Sequence, residues 1–248
     1  MVIEPHSEIR VYLSLEALSH AAAEEFSRCA SEAIAARNRF AVALSGGNSP
    51  RLLYELLASD YAEKIDWSRV HFFWGDERYV PHDNPQSNYR MAKEAMLDAL
   101  NIPAANIHPM PTHFADPNEA AREYEHTVRN FFLKRPAQLD LILLGIGTDG
   151  HTASLFPGTA ALGEKQAWVT AVHANVKPPI RLSLTLPFLN SARNIFSIAS
   201  GEEKRKVVET MLEHPEEAQQ HFPAALVRTN GRLILFLDKK ARGERKVG

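Results

Sequence analysis

The stretch LDLILLGIGTDGHT, residues 139–152, joins the apolar run of a buried strand to a turn that contains three glycines. The glycines are spaced as G-x-G-x-x-G, which forms the phosphate-binding turn of dinucleotide folds when it lies between a strand and a helix. A dinucleotide site also needs a long helix after the turn and an acidic residue about 20 positions further on. Here Pro157 and Gly158 follow within a few residues, and Glu164 is the only acidic residue between His151 and Val176. The stretch therefore predicts a strand and a ligand-binding turn, and it argues against a dinucleotide.

Short apolar segments alternate with helical segments along the rest of the chain. The other predicted strands are EIRVYLS, FAVAL, VHFFW, WVTAV, NIFSIAS and LILFLD. Capping residues at Asp116 and Ser200, each with a glutamate three positions later, predict the starts of two helices. Apolar runs of this kind are typical of strands that are buried on both faces. The pattern predicts an α/β fold with a mostly parallel sheet and helices on both faces.

Length, charge and cysteine content limit the class of protein. The 248 residues are 45% hydrophobic and no linker divides them, so one large α/β domain or two small ones fit the length. The 28 basic and 30 acidic side chains are well mixed, which gives no field to attract nucleic acid or an anionic membrane. Cys29 is the only cysteine, and no apolar run approaches the ~18 residues that span a bilayer. We expect a cytoplasmic protein with neither nucleic acid nor membrane as a partner, since the chain also begins without a basic segment leading into an apolar one.

Four of the predicted strands end in turns that are rich in glycine and polar residues. The turns are SGGNSP after FAVAL, GDER after VHFFW, GIGTDGH after LDLILL and GEEK after NIFSIAS. Ligands of open α/β sheets bind at the carboxyl ends of the strands. We therefore expect the four turns to converge on one site.

The SGGNSP turn has the features of an anion site. Gly46 and Gly47 leave the backbone accessible, Asn48 or Ser49 can cap a helix, and Pro50 suits the first helical position, so that free N–H groups and the helix dipole face outward. The absence of G-x-x-x-x-G-K-[ST] argues against an ATPase. Taken alone, the turn fits an ordinary capped strand-to-helix connection equally well.

Two cations favour the anion site. Lys204 lies in the first turn of the helix predicted after Ser200, where the dipole disfavours a positive charge by a few tenths of a kcal/mol. Arg181 begins the otherwise apolar and hydroxyl-bearing segment RLSLTLPFL. An ordinary surface salt bridge explains either cation on its own equally well, but together with the glycine turn they indicate a bound anion.

Asp149 and His151 are the candidates for proton transfer. Histidine has an unperturbed pKa suited to acid-base work near neutrality, and a carboxylate two residues away can orient the ring or raise its basicity, although a lone histidine more often only hydrogen-bonds the backbone. Arg78 stands at a predicted strand end, where it can stabilise an oxyanion or bind a carboxylate, and Asp76 and Glu77 are placed to hold it. Neither metal-ligand spacing nor a G-x-S-x-G nucleophile is present, so we expect no metal and no covalent intermediate.

Several motifs together resemble the 6-phosphogluconolactonase family. They are SGGNSP, GDERYVP with SNY, LDLILLGIGTDGHTASLFPG, RLSLTLP, SGEEK and PAALV with LILFLDKKA, in order over nearly the whole chain. The resemblance implies a single Rossmann-like domain over residues 1–248 and hydrolysis of 6-phospho-D-glucono-1,5-lactone without a metal or organic cofactor. By position it implies that His151 is the catalytic histidine, that Arg78 is an active-site arginine, and that Lys204, Arg181 and the loop from Ser45 to Ser49 hold the phosphate. Similar sequences often have Thr before the proline, and Ser49 keeps that hydroxyl.

Two alternatives stay open. Glucosamine-6-phosphate deaminases have a similar turn that continues FNEPG and supplies a catalytic glutamate, whereas this chain has the apolar SLFPG. A sugar-phosphate sensor without catalytic activity is the other alternative. Against it, no helix-turn-helix segment precedes FAVAL, and charge is not concentrated as in a DNA-binding segment.

Overall fold

A computed structural model describes residues 7–133 and 136–243 of the chain. The strands are β1 (Ser7–Tyr12), β2 (Phe40–Leu44), β3 (Val70–Trp74), β4 (Asp76–Arg78), β5 (Leu141–Gly145), β6 (Val169–His173), β7 (Ile180–Leu184), β8 (Asn194–Ala199) and β9 (Arg232–Asp238). The α-helices are α1 (Leu15–Arg37), α2 (Asn48–Ser59), α3 (Asn88–Ala92), α4 (Pro117–Phe132), α5 (Leu186–Asn190), α6 (Arg205–Glu213), α7 (Pro215–His221) and α8 (Lys239–Arg242). Short 3-10 turns cover Trp67–Arg69, Ala104–Asn106, Ala160–Gly163, Glu202–Lys204 and Pro223–Leu226, and one π-helical turn covers Lys93–Leu97.

Six strands form a parallel sheet in the order β1-β9-β8-β5-β2-β3. Alternate residues of β9 belong to different apolar clusters: Ile234 and Phe236 pack with residues of α1, α2 and α4, while Leu235 and Leu237 pack with residues of α6 and α7. Since successive side chains of a strand point to opposite faces, helices cover both faces of the sheet. The predicted α/β class is confirmed.

A second, smaller sheet was not predicted. Strands β4, β7 and β6 pair antiparallel, and α4 packs against β6 and β7. The expectation that WVTAV belongs to the main sheet was therefore wrong. Val169–His173 is an edge strand of the second sheet, and its Thr170 and Ala171 are only half-buried. The GDER segment, which we expected to be a turn, contains the strand β4.

The helix starts agree only in part with the capping signals. The Asp116 carboxylate accepts a hydrogen bond from Asn118 N at 2.9 Å, with Pro117 as the first helical residue, as predicted. The capping box at Ser200 was wrong: the Ser200 hydroxyl donates instead to Asp238 Oδ2 at 2.6 Å. Asp238 is a buried carboxylate at the end of β9, so this hydrogen bond fastens the turn after β8 to the neighbouring strand.

Among the described residues, none of the helices combines the length and the apolar composition of a membrane-spanning segment. Within the same residues, no group of three or more His, Cys, Asp or Glu side chains is arranged to hold a metal ion. Of the predicted domain over residues 1–248, positions 1–6, 134–135 and 244–248 lie outside the described residues.

Candidate active site

Four loops converge at the carboxyl edge of the main sheet. They follow β8, β5, β2 and β3, which are consecutive in the sheet order, so parallel pairing brings together segments that are distant in the chain. The cavity between them has a volume of about 310 Å³. Its walls include all but one of the predicted site residues, namely Ser45, Gly46, Gly47, Asn48, Ser49, Asp76, Arg78, His151, Arg181 and Lys204. Asp149 is the exception, and it contacts His151 without lining the cavity.

The glycine turn between β2 and α2 presents uncapped backbone donors. Gly47 has φ of 103°, a left-handed conformation that glycine adopts without strain, and α2 begins at Asn48 with no described side chain capping it. The expectation that Asn48 or Ser49 caps this helix and that Pro50 is its first residue was therefore wrong, because the helix begins two residues earlier than Pro50. The N–H groups of the first turn of α2 lie at the cavity and donate to no capping side chain, so they are available to bind an anion.

Tyr54 fixes the start of the same turn. Its hydroxyl accepts a hydrogen bond from Ser45 N at 2.9 Å and donates one to Ser45 O at 2.8 Å. Tyr54 is fully buried, and burial raises the pKa of its phenol, so the hydroxyl stays protonated and can make both bonds. One side chain of α2 thereby satisfies both backbone groups of Ser45 and holds the turn against β2.

His151 is held by a carboxylate and by a glycine. Its Nδ1 lies 2.5 Å from Asp149 Oδ1, which also accepts a hydrogen bond from His151 N at 3.1 Å. Burial acts to raise the pKa of Asp149, but the hydrogen bond from His151 N and the nearby imidazole together lower the pKa. An ionised Asp149 places the imidazole proton on Nδ1 and leaves Nε2 as the free acceptor. At Gly147 a Cβ would lie 2.0 Å from His151 Nδ1, so only glycine leaves room for the ring.

The loop that carries His151 is fastened on both sides. Behind it, Gly150 O accepts a hydrogen bond from Ala224 N at 2.9 Å, and a Cβ at Gly150 would lie 2.3 Å from the Phe222 ring. In front of it, Ser154 Oγ donates to Asp76 Oδ2 at 2.6 Å. The second bond joins the histidine loop directly to β4, the strand that carries Arg78.

Arg78 and Arg181 lie opposite each other in the antiparallel pair of β4 and β7. Like charges at such positions repel, so the pairing favours an anion between them or beside them. The Arg181 guanidinium is held by Pro178 O at 2.9 Å and Lys177 O at 3.4 Å. Burial lowers the pKa of Arg181, with Asp76 opposing this shift and Arg78 adding to it, yet a guanidinium stays protonated in proteins.

The expectation that Asp76 and Glu77 hold the Arg78 side chain was wrong. Arg78 Nη1 donates to Gln86 O at 2.7 Å, and Arg78 Nε is buried without a hydrogen-bond partner among the described residues. Asp76 accepts from Ser154, and Glu77 accepts from the backbone N–H of Arg78 at 2.8 Å. The Glu77 side chain leaves the face of β4 opposite to that of Arg78. The Asp76 carboxylate lies on the same face as Arg78, but it accepts hydrogen bonds from Ser154 and Asn88 instead.

Lys204 lies in the short 3-10 turn before α6 and faces the cavity. The turn is fastened to β9, since Gly201 N as well as the Ser200 hydroxyl donates to the Asp238 carboxylate. The cavity is thus lined by three cations from separate elements, Lys204, Arg78 and Arg181, and by the uncapped start of α2.

Sequence reasoning did not assign four polar residues of the cavity to the site, namely Asn88, Thr148, Ser200 and Glu203. Asn88 begins α3 and packs against Gly46, where a Cβ would lie 1.9 Å from Asn88 Oδ1. Asn88 does not belong to any of the four turns that follow the strands, so the rule about strand ends did not identify it. The SNY motif contains this residue, but its sequence alone did not indicate a role.

Comparison with known proteins agrees with this geometry. The family described as "Glucosamine-6-phosphate isomerases/6-phosphogluconolactonase" matches residues 14–235. A 6-phosphogluconolactonase of Synechocystis sp. is 45% identical over 213 residues, which are 85% of this chain and 86% of that protein. The crystal structure of 6-phosphogluconolactonase from Thermotoga maritima superposes with a TM-score of 0.82 at 30% identity, covering 94% of this chain and 100% of the other.

A monomeric glucosamine-6-phosphate deaminase has the same fold, with a TM-score of 0.78 at 20% identity over 94% of this chain and 98% of the other. At that identity the likeness concerns the fold alone. The family match over most of the chain, together with the close relative from Synechocystis sp., shows that this chain belongs to the glucosamine-6-phosphate isomerase/6-phosphogluconolactonase family.

Proposed function

We propose that this protein hydrolyses 6-phospho-D-glucono-1,5-lactone to 6-phospho-D-gluconate, the lactonase step of the oxidative pentose phosphate pathway. The observation that carries the proposal is the His151–Asp149 pair, which stands in one cavity with an uncapped helix start and three cations. The anion site can bind a phosphate group, and the proton acceptor beside it can activate water for attack on an uncharged group of the same substrate molecule. The relatives named 6-phosphogluconolactonase supply the identity of the substrate.

The phosphate is bound first in the proposed mechanism. The N–H groups at the start of α2 and the side chains of Lys204 and Arg181 hold its oxygens. Binding energy at the phosphate, which does not react, then positions the lactone carbonyl near His151. The volume of about 310 Å³ suits one phosphorylated monosaccharide.

His151 acts as the base and then as the acid. Its free Nε2 takes a proton from water as the water oxygen attacks C1 of the lactone, and Asp149 stabilises the imidazolium that forms. The negative charge that develops on the carbonyl oxygen is stabilised by Arg78, which the Ser154–Asp76 bond connects to the histidine loop. The imidazolium then gives its proton to the ring oxygen as the C1–O bond breaks, and the product is the open-chain acid.

The deaminase alternative makes a different demand on the same loop. In those proteins the related turn carries a catalytic glutamate, whereas here Leu155 and Phe156 occupy the stretch and are buried. Neither side chain can transfer a proton, so the site favours hydrolysis over deamination.

One assay tests the proposal. Acid release from freshly made 6-phosphogluconolactone is measured and corrected for spontaneous hydrolysis, and ammonia release from glucosamine 6-phosphate is measured beside it. We expect acid release without ammonia release. The reverse result would support a deaminase, and binding of phosphosugars without either reaction would support a sensor.

We further infer that residues 1–248 form one domain of this family and that the protein acts in the cytoplasm. The family match over residues 14–235 supports the first inference. The single cysteine, Cys29, is a free, buried thiol, and a chain without a disulfide framework is usual for proteins of a reducing compartment, which supports the second inference.

A further inference from the structure

Glu77 is a fully buried carboxylate directly behind the wall of the cavity. It is the central residue of β4, whose outer residues Asp76 and Arg78 both line the cavity. Because side chains alternate along a strand, the Glu77 side chain leaves the opposite face and never reaches the cavity. It therefore has no place among the groups that touch the substrate.

Four hydrogen bonds converge on this carboxylate. Oε1 accepts from Arg78 N at 2.8 Å and from Asn88 N at 2.7 Å. Oε2 accepts from Ser87 Oγ at 3.0 Å and from Tyr89 N at 2.8 Å. Three of the donors are peptide N–H groups and the fourth is a hydroxyl, so the bonds fix the backbone of β4 and the first turn of α3 relative to each other.

Only a carboxylate satisfies all four donors. Each of its oxygens accepts hydrogen bonds and donates none, whereas the amide of glutamine would turn an NH₂ group toward two of the donors. Burial acts to raise the pKa of Glu77, against the lowering effect of the three backbone N–H bonds, so the ionised carboxyl is kept in the interior at a cost in solvation. Buried carboxylates are usually paired with a cation, whereas this one binds backbone N–H groups. We conclude that its role is to fix the position of β4 relative to the first turn of α3.

The segment that Glu77 holds also holds the cavity side chains. Arg78 Nη1 donates to Gln86 O at 2.7 Å, and Asn88 Nδ2 donates to Asp76 O at 2.9 Å. The guanidinium and the amide thus both depend on the contact between β4 and residues 86–88, at the centre of which lies the Glu77 carboxylate. The histidine loop is bonded to Asp76 of β4 as well, but its further attachments to Gly145 and Ala224 involve neither Glu77 nor residues 86–88.

We propose that Glu77 is a positioning residue for the reaction, which sets Arg78 and Asn88 at the cavity by binding the first turn of α3 to β4. This inference rests on the proposed lactonase function for its kinetic test. It assigns no contact between Glu77 and the substrate. The effect of Glu77 on catalysis passes through Arg78, and this separates it from a residue that only stabilises the fold.

The test is a double-mutant cycle of Glu77→Gln with Arg78→Ala, assayed on 6-phosphogluconolactone. We expect Glu77→Gln to lower kcat/KM by about 10- to 100-fold in the wild-type background and by less than about threefold when Arg78 is already alanine. An equal loss in both backgrounds, or no loss in the wild-type background, would overturn the inference. If Glu77→Gln does not fold, Ser87→Ala removes a single one of the four bonds, and it should lower kcat/KM about three- to tenfold with the same dependence on Arg78.

Asp140→Asn is the matched control. Asp140 is also a buried carboxylate, and it accepts from Ala41 N at 2.9 Å and pairs with Arg37, but it lies at the other end of the sheet. We expect this variant to lose thermal stability while kcat/KM stays within about threefold of wild type. A loss of kcat/KM equal to that of Glu77→Gln would mean that general destabilisation explains both.

Binding of 6-phosphogluconate keeps the two proposals separable. Calorimetric titration should show about tenfold weaker binding to Glu77→Gln than to wild type and unchanged binding to Asp140→Asn. A wild-type protein that binds this ligand without hydrolysing the lactone would contradict the proposed function and leave the titration as the test of Glu77. Equal affinities of wild type and Glu77→Gln would contradict the inference about Glu77.

Discussion

His151 depends on its neighbours in the chain for both its orientation and its proton. Asp149 fixes Nδ1 as the protonated nitrogen, and the missing side chain at Gly147 leaves room for the ring. The Phe156 ring lies 4.5 Å from the imidazole centroid and covers one side of it. These contacts leave Nε2 as the nitrogen that can accept a proton from water, so the consequences of replacing His151 should appear in turnover and hardly in binding.

We expect His151→Ala to lower turnover by about 10²- to 10⁴-fold, the usual contribution of a general acid or base. Affinity for 6-phosphogluconate, measured by calorimetry, should change little, because the protein groups that bind the phosphate remain in place. Replacement of His126, an exposed histidine of α4, by alanine is the control. Turnover of His151→Ala within about threefold of wild type would exclude the residue from the mechanism.

Arg78 has two opposed roles to distinguish. If it stabilises the developing oxyanion, Arg78→Lys should reduce kcat and kcat/KM together, because a flexible ammonium group does not reproduce a planar guanidinium at a fixed oxygen. Steady-state kinetics on the phosphorylated lactone measures both constants. A rise in KM with kcat unchanged would instead assign Arg78 to ground-state binding beside Arg181, its cross-strand neighbour.

At the scale of elements, the cavity is built where two sheets meet. The parallel sheet supplies the glycine turn, the histidine loop and Lys204, while the antiparallel sheet supplies Arg78 and Arg181. Each cation is attached through its own element: the loop before β7 holds the Arg181 guanidinium, and the Asp238 carboxylate holds the turn before α6. Since these attachments are separate, the two phosphate-binding cations should contribute independently.

We expect Lys204→Ala and Arg181→Ala each to reduce the preference for phosphorylated over unphosphorylated lactone by about tenfold or more. Charge-assisted hydrogen bonds to a partly desolvated phosphate contribute roughly 1.5 to 3 kcal/mol each. The measurement is the ratio of kcat/KM for the two lactones. Lys206→Ala is the control, since this exposed lysine is two residues from Lys204 and outside the cavity walls. Full preference retained by both variants would mean that the phosphate is bound elsewhere.

At the scale of the whole molecule, two buried histidines that lie away from the cavity affect the stability of the fold. His71 of β3 lies 3.5 Å from His108, between their nitrogens, and its ring packs on Phe131 with centroids 4.8 Å apart. Burial, together with the charges of His108 and Arg39, lowers the pKa of His71 to about 4. Burial also lowers the pKa of His108. This cluster joins the edge of the main sheet to α4, so its protonation acts on the global fold.

The sign of the pH dependence follows from the lowered pKa. The folded state binds fewer protons than the unfolded state, so the contribution of His71 is complete above its unfolded pKa, near 6.5, and is lost as the pH falls toward 4. We expect the wild type to lose roughly 1 to 2 kcal/mol more of its free energy of unfolding between pH 7.5 and about 4.5 than His71→Gln does. Urea unfolding at the two pH values measures this difference. His126→Gln should retain the wild-type pH dependence, and a His71→Gln profile parallel to wild type would refute the prediction.

Local patterns in the sequence determined most of the elements and the candidate groups. Apolar runs located six of the nine described strands in their correct sheet. Five of these strands are buried along most of their length, and burial on both faces leaves a signal in the residues themselves, whereas β1 is a partly exposed edge strand. The four turns converged as expected, since parallel pairing alone brings successive strand ends to one edge. His151 with Asp149, and Gly46 with Gly47, are neighbours in the chain, so their spacing was sufficient to propose a chemistry.

Only the tertiary structure decided the relations between distant segments. The antiparallel pairing that sets Arg78 opposite Arg181 depends on the register of β4, a strand of three residues that is too short to leave a periodic signal. The place of Asn88 beside Gly46, and the four donors around Glu77, depend on how α3 packs on β4. Such contacts form between residues whose types are compatible with many partners, and the packing of the whole chain selects one of them.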